Sequence, residues 1–188
     1  LLDAPFPAQE RHLAPSVAFA GNLAKSRFLQ DASFLRLPLD VHLYGVGFDA
    51  ARFPGERIHY HGSFPPDRVP YEMEGSFGIV WDGTSAETCT GPMGEYLRYN
   101  NPHKLSLCLA AGLPVITWRE AAIACFVETQ GIGFTVDALT DIPARIAALS
   151  EADYDTYREN LRPLQQAACT GQFLRRAIAQ PFETMKKE

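Results

Sequence analysis

The sequence predicts an α/β fold, a Rossmann-like parallel sheet with helices on both faces. Three observations carry this. Short apolar runs closed by glycine or proline recur along the chain, segments with helical spacing separate them, and residues 76–81 (SFGIVW) are apolar almost throughout, as a strand covered on both faces is. Strands alternating with helices need crossover connections, which a parallel sheet with helices packed on it supplies.

The elements follow in order. Residues 16–20 (SVAFA) read as a first strand closed by Gly21 and Asn22, and residues 26–37 place Phe28, Leu29, Ala32 and Leu35 at near-helical spacing until Pro38. Residues 40–44 (DVHLY) form a second strand broken at Gly45-Val46-Gly47, and residues 57–61 (RIHYH) a third, ended by Gly62. A short helix fits residues 66–74, and residues 76–81 give the fourth strand. Residues 82–99 read as one long loop, a length that usually marks function or mobility. A helix starts at Asn101-Pro102 and runs to Ala111, capped by Gly112. Residues 114–117 (PVIT) are a fifth strand, residues 120–130 a helix ended by Gly131, and residues 133–136 (GFTV) a last strand. From Asp141 the pattern is helical: Ile142, Ile146 and Leu149, then Tyr154, Tyr157 and Leu161, then residues 173–185 with Pro181 inside. One domain is therefore expected over residues 1–188: a linker to about residue 15, a core over 16–150 and a helical tail over 151–188.

Composition narrows the function. The 188 residues are 46% hydrophobic and 21% charged, an ordinary globular mixture, and 17 Lys+Arg against 22 Asp+Glu give a net charge of −5. That balance repels a phosphate backbone and argues against nucleic-acid or general anionic-membrane binding. Cys89, Cys108, Cys125 and Cys169 contain no C-x-x-C pair, so they predict packed, reduced thiols in a cytoplasmic protein rather than zinc ligands or a disulfide framework. No apolar stretch reaches the roughly 18 to 20 residues of a membrane span, and no charged-then-apolar leader is visible.

The sharpest motif is Tyr99-Asn100-Asn101-Pro102-His103-Lys104-Leu105-Ser106. With Asn101 as N-cap and Pro102 as first helical residue, free amides and the positive end of the helix dipole face the edge where ligands bind in such sheets. A cation in that first turn, Lys104, opposes the dipole by a few tenths of a kcal/mol up to about 1, so a bound anion such as a diphosphate explains it better than helix stability. The loops at residues 21–25, 45–47, 62–64 and 82–101 should share this edge. His59 and His61 alternate on one strand and share a face, but no carboxylate or third ligand has matching spacing, so no metal site is predicted. Asp82, at the end of the fourth strand, is expected either to anchor the long loop or to approach a ligand.

The string NPHKLSLCLAAGLPVI after Tyr-Asn resembles the nucleotide-sugar-binding C-terminal domain of GT-B glycosyltransferases, in particular bacterial β-1,6-galactofuranosyltransferase-like enzymes and the accessory glucosyltransferases of serine-rich adhesins. VAFAGNLAKS at residues 17–26, His61-Gly62-Ser63, Val69-Pro70 and GIVWDG at residues 78–83 agree with it. The resemblance covers about residues 16–150 and implies one half of a GT-B fold. It implies a UDP-sugar as donor substrate, no metal or other cofactor, and an N-terminal half of similar size that presents a glycan or glycoprotein acceptor. The Leu1 start is expected to reflect that division. Any membrane-surface association would come through that other half. The pair of glutamates seven residues apart found in many retaining GT-B enzymes is not seen; Asn101 and Lys104 stand in its place.

Carried over by position, the resemblance gives Lys104 the task of neutralising the diphosphate as UDP departs. Tyr99 and Asn100 would line diphosphate or ribose, and Ser106 would cap the helix or contact phosphate. Gly21, Asn22, Lys25 and Ser26 would face the hinge cleft, with Tyr44 stacking on uracil or sitting in the core, and His61 and Gly62 near the nucleotide. A noncatalytic GT-B-like interaction module is the alternative, which would have no need of Lys104. A nucleotide-sugar epimerase would need an acid and histidine cluster around the sugar. Phe126, Phe173 and Phe182 are expected either at the hinge or in a homo-oligomer.

Overall fold

In the computed structural model, which describes residues 9–175 and 178, each apolar run becomes a strand of one sheet. The strands are β1 (Ser16–Ala20), β2 (Asp40–Tyr44), β3 (Ile58–Gly62), β4 (Phe77–Val80), β5 (Val115–Trp118) and β6 (Gly133–Val136). Their order is β3-β2-β1-β4-β5-β6 and every neighbouring pair is parallel. β1, β4, β5 and β6 are buried at every position, because crossover segments cover both faces. The edge strand β3 is only partly buried, and its histidine-rich sequence suits that position.

The helices are α1 (Ala32–Leu35), α2 (Val69–Glu72), α3 (Gly91–Tyr96), α4 (His103–Ala111) and α5 (Ala124–Thr129), which lie between strands, and α6 (Ile142–Ala147) and α7 (Glu151–Cys169), which follow β6. α2 and α5 are shorter than the helices expected over 66–74 and 120–130, and three other segments differ in kind. The helix expected over 26–37 splits into a 3-10 turn at Arg27–Gln30 and α1, because Asp31 adopts an extended backbone and accepts the Ser33 amide as an N-cap. The long loop over 82–99 contains α3, which packs so closely that a Cβ on Gly94 would lie 2.5 Å from the Cys89 carbonyl carbon. The helix after it starts at His103 with Pro102 as N-cap, so Asn101 is not the cap. Gly112 ends that helix as expected, in the left-handed conformation.

α7 closes the core from outside. Ser150 and Asp153 form its capping box, the Tyr154 hydroxyl donates to the Ser76 carbonyl at 2.8 Å, and Gln165 donates to the Ala110 carbonyl at the end of α4. Trp81, Phe77, Ile79 and Val80 lie in the core, as do three of the cysteines; Cys125 is exposed, against the expectation that all four pack. Burial pushes the Cys89 and Cys108 thiols up to about 12. Ahead of β1, Arg11 is buried and donates to the carbonyls of Met73, Gly75 and Ala111, so this part of the expected linker is docked on the domain. Residues 172–175 and 178 are helical, and the remainder of the helix expected over 173–185 lies outside the described residues.

Two glycines set the ligand edge. At Gly45 (φ +128°) a Cβ would stand 1.9 Å from the Gly21 carbonyl oxygen, so the β1 and β2 loops can meet only without a side chain there. Backbone bonds lace these loops: Gly21 N–H to Tyr44 O, Leu23 N–H to Val46 O and Gly45 N–H to Gly62 O. At Gly78 a Cβ would lie 2.4 Å from Cys108 Sγ, which fixes how near α4 approaches β4.

Candidate functional site

Strand order reverses between β1 and β4, and in open parallel sheets the crevice beyond the strand ends at that point is the ligand site. A cleft of about 460 Å³ opens there, within the size range of small-ligand sites. Gly21, Gly45, Ser63, Phe64, Asp82 and Asn100 all border it, so the four loops expected to share one edge do so.

α4 delivers the charge. Pro102 gives the helix no side-chain cap, which leaves its first-turn amides directed at the cleft, together with His103 and Lys104. The Lys104 stem crosses Gly21, where a Cβ would come within 3.6 Å of Lys104 Cε, and its ammonium lies 5.5 Å from the Phe19 ring centroid. There Lys104 Nζ donates to Asp82 Oδ2 at 2.8 Å, with each side chain 19% exposed. The other Asp82 oxygen accepts the Gly83 amide, so this carboxylate both anchors its loop and faces the cleft. Tyr44, Val46, Phe64, Val69 and Leu107 supply an apolar wall.

Of the residues singled out in the sequence, Gly21, Tyr44, Asn100 and Lys104 come together here. Tyr44 is 1% exposed; its ring stacks on His61 at 4.7 Å and its hydroxyl accepts the Glu74 amide, so burial holds the phenol up at about 12. Asn100 Oδ1 is buried with no hydrogen-bond partner among the described residues, and Asn100 borders a second groove as well. Tyr99, Asn101 and Ser106 line that groove with Phe126 and Phe173. Asn22, Lys25, Ser26, His61 and Gly62 do not line the first cleft. Ser26 is 3% exposed and donates to the Asn22 carbonyl, whereas Asn22 and Lys25 are exposed and joined by the Lys25 amide to Asn22 Oδ1.

Sequence reasoning placed the loop of Ser63 and Phe64 on this edge without singling out either side chain, and it missed His103, which stands within the quoted motif. It also missed the surroundings of His61. His42 Nδ1 lies 3.0 Å from His61 Nε2 with Glu74 beside both, while His59 faces Asp40 instead. The third ligand-type side chain and the carboxylate thus come from other elements.

The family model described as glucosyltransferase 3-like, C-terminal domain, matches residues 17–181. The β-1,6-galactofuranosyltransferase WbbI of Escherichia coli (strain K12) is 33% identical over 175 residues, which is 90% of this chain and 50% of that protein. Glucosyltransferase 3 of Streptococcus gordonii is 26% identical over 92% of this chain and 49% of its own length. The chain therefore spans about half the length of the curated relatives it matches. Among solved structures, Anabaena HepE in complex with UDP-glucose superposes with a TM-score of 0.57 at 13% identity, over 90% of this chain and 48% of that one. T4 phage BGT in complex with UDP and Mn2+ gives 0.56 at 10%, over 92% and 50%. These two likenesses establish the fold.

Proposed function

The chain belongs to the family of glucosyltransferase 3-like C-terminal domains, and from that premise we propose that it is the donor-binding half of a hexosyltransferase. It holds a UDP-sugar in the cleft between β1 and β4, while a second half presents a glycan or glycoprotein hydroxyl. The observation that carries this reading is Lys104, a cation held inside the cleft at an uncapped helix N-terminus. A pyrophosphate there meets a charge-assisted donor and oriented amides together, which stabilises the negative charge that grows on UDP as the glycosidic bond breaks. Asp82 releases Lys104 to the phosphate and turns to a hydroxyl of the donor. The apolar wall takes the base.

The charge on the diphosphate is met by Lys104 and the helix, so donor binding in this reading requires no metal. A reducing, cytoplasmic setting accords with four free cysteines, and no described helix is long and apolar enough to cross a membrane. Calorimetry with UDP tests the assignment. The wild-type chain binds, and Lys104→Ala weakens binding at least about tenfold, about 1.4 kcal/mol. Equal affinities would remove Lys104 from the site and favour a noncatalytic interaction module.

A further inference from the structure

On the sheet face beside the cleft, two imidazoles and a carboxylate converge from three parts of the chain. His42 and His59 are register partners on β2 and β3, and His61, two residues beyond His59, projects from the same face. The His42 ring stacks on His59 at 5.1 Å and lies tilted against His61 at 5.2 Å. Only two of the three direct nitrogens at one point: His42 Nδ1 and His61 Nε2 are 3.0 Å apart, whereas His59 Nε2 turns to Asp40 Oδ1 at 3.3 Å. Glu74 lies beside both rings, its Oε2 3.7 Å from His42 Nδ1 and its Oε1 3.9 Å from the other nitrogen of His61, Nδ1, and one ligand atom from each of His42, His61 and Glu74 lies within 4.8 Å of the others.

We propose that His42, His61 and Glu74 form a binding site for a divalent transition metal of the zinc class, separate from the Lys104 cleft. Bonds of about 2.0–2.2 Å from zinc to nitrogen and oxygen place tetrahedral ligand atoms about 3.3 Å apart, so the two imidazoles are already near that spacing and the exposed Glu74 side chain closes the rest by rotating inward. The donor set, two borderline nitrogens and one carboxylate, suits zinc and disfavours magnesium or calcium. Burial and the neighbouring His61 lower the affinity of His42 for a proton, which favours the neutral imidazole that ligates metal.

The carboxylate is held in place by its backbone. Arg11 binds the carbonyls on either side of it, those of Met73 and Gly75, and the Glu74 amide donates to Tyr44. Gly75, at φ +96°, turns the chain back onto β1, where a Cβ would sit 3.3 Å from the Val17 carbonyl carbon, and beside β2, where it would sit 3.4 Å from His42 Cδ2. Glu74 itself remains exposed, which leaves the last coordination position to water.

The test is titration of the untagged 188-residue chain with Zn2+ by calorimetry and with Co2+ by visible absorption, alongside His42→Ala, His61→Ala, Glu74→Gln and His59→Ala. The expected result is one bound ion per chain with a tetrahedral cobalt spectrum free of thiolate charge transfer. Zn2+ affinity falls at least about 30-fold for either of the first two variants and about tenfold for Glu74→Gln, and changes less than about threefold for His59→Ala. Thermal unfolding checks the folding of each variant, and Glu74→Gln, which alters an exposed group without changing its shape, decides the matter should a histidine variant unfold. No stoichiometric ion, a thiolate band, or an unchanged affinity in Glu74→Gln would overturn the site. Loss with His59→Ala equal to that with His42→Ala would overturn the ligand set.

Discussion

Lys104 and Asp82, 22 residues apart in the chain, meet at 2.8 Å where α4 begins and β4 ends. Without a ligand the ammonium is already neutralised, and an entering phosphate has to displace a carboxylate to reach it. That fixes the sign of a substitution at Asp82. Asp82→Asn removes the competitor and the repulsion, so affinity for UDP alone rises by about three- to tenfold, the size of one partly screened charge interaction. The gain diminishes with added salt. Calorimetry at two ionic strengths checks both statements; a weaker UDP complex would show that Asp82 itself holds the nucleotide.

The approach of α4 to β4 depends on Gly78, where an added Cβ would meet Cys108 Sγ at 2.4 Å. Gly78→Ala is expected to cost about 2 kcal/mol through overpacking and to lower UDP affinity by displacing the helix that bears Lys104. Cys108→Ala in the same chain should restore part of both. A double-mutant cycle by urea unfolding measures the coupling.

Arg11 joins the segment before β1 to three carbonyls, of Met73, Gly75 and Ala111. Arg11→Met leaves these acceptors without the cation while keeping much of the side-chain volume. It is expected to cost about 3 kcal/mol, since charged hydrogen bonds are worth about 1.5–3 each and the three here share one guanidinium. Chemical denaturation reads this directly, with an unchanged m-value if the unfolded state is unaffected.

Asp31 caps α1 and also accepts the Ala86 amide from across the molecule. Its carboxyl is held below the ordinary carboxylate value, chiefly by the hydrogen bond from Ala86 and then by that from Ser33. A depressed folded value means that the charge stabilises the fold fully above the unfolded value, about 3.9, and that this contribution disappears as pH falls through the folded value. Asp31→Ala should therefore cost about 1 kcal/mol near neutral pH, with the gap to wild type narrowing below about pH 4. Stability curves from pH 7 to about 2 test it; a constant gap would contradict the sign.

Much of the fold was legible because apolar runs and glycines carry strand limits: β1, β2 and β6 begin and end where the sequence places them. α3 was not legible, since Gly91-Pro92-Met93-Gly94 has little helix propensity and forms through packing on Cys89. Nor was the break at Asp31, which rests on a partner 55 residues away. In the site, Lys104 stood out because its charge opposes the helix dipole locally. Its pairing with Asp82 depends on the distance set by Gly78, and the meeting of His42 with His61 on how β3 lies against β2. These are tertiary quantities that neither spacing nor periodicity expresses.

On the proposed function, the cleft between β1 and β4 takes the pyrophosphate of a UDP-sugar at Lys104. A crystal structure of this chain with UDP tests it most directly. A phosphate oxygen is expected about 2.8 Å from Lys104 Nζ, at the first-turn amides of α4, with the link to Asp82 opened. UDP bound in the groove lined by Tyr99 and Phe126, with Lys104 and Asp82 still paired, would contradict it.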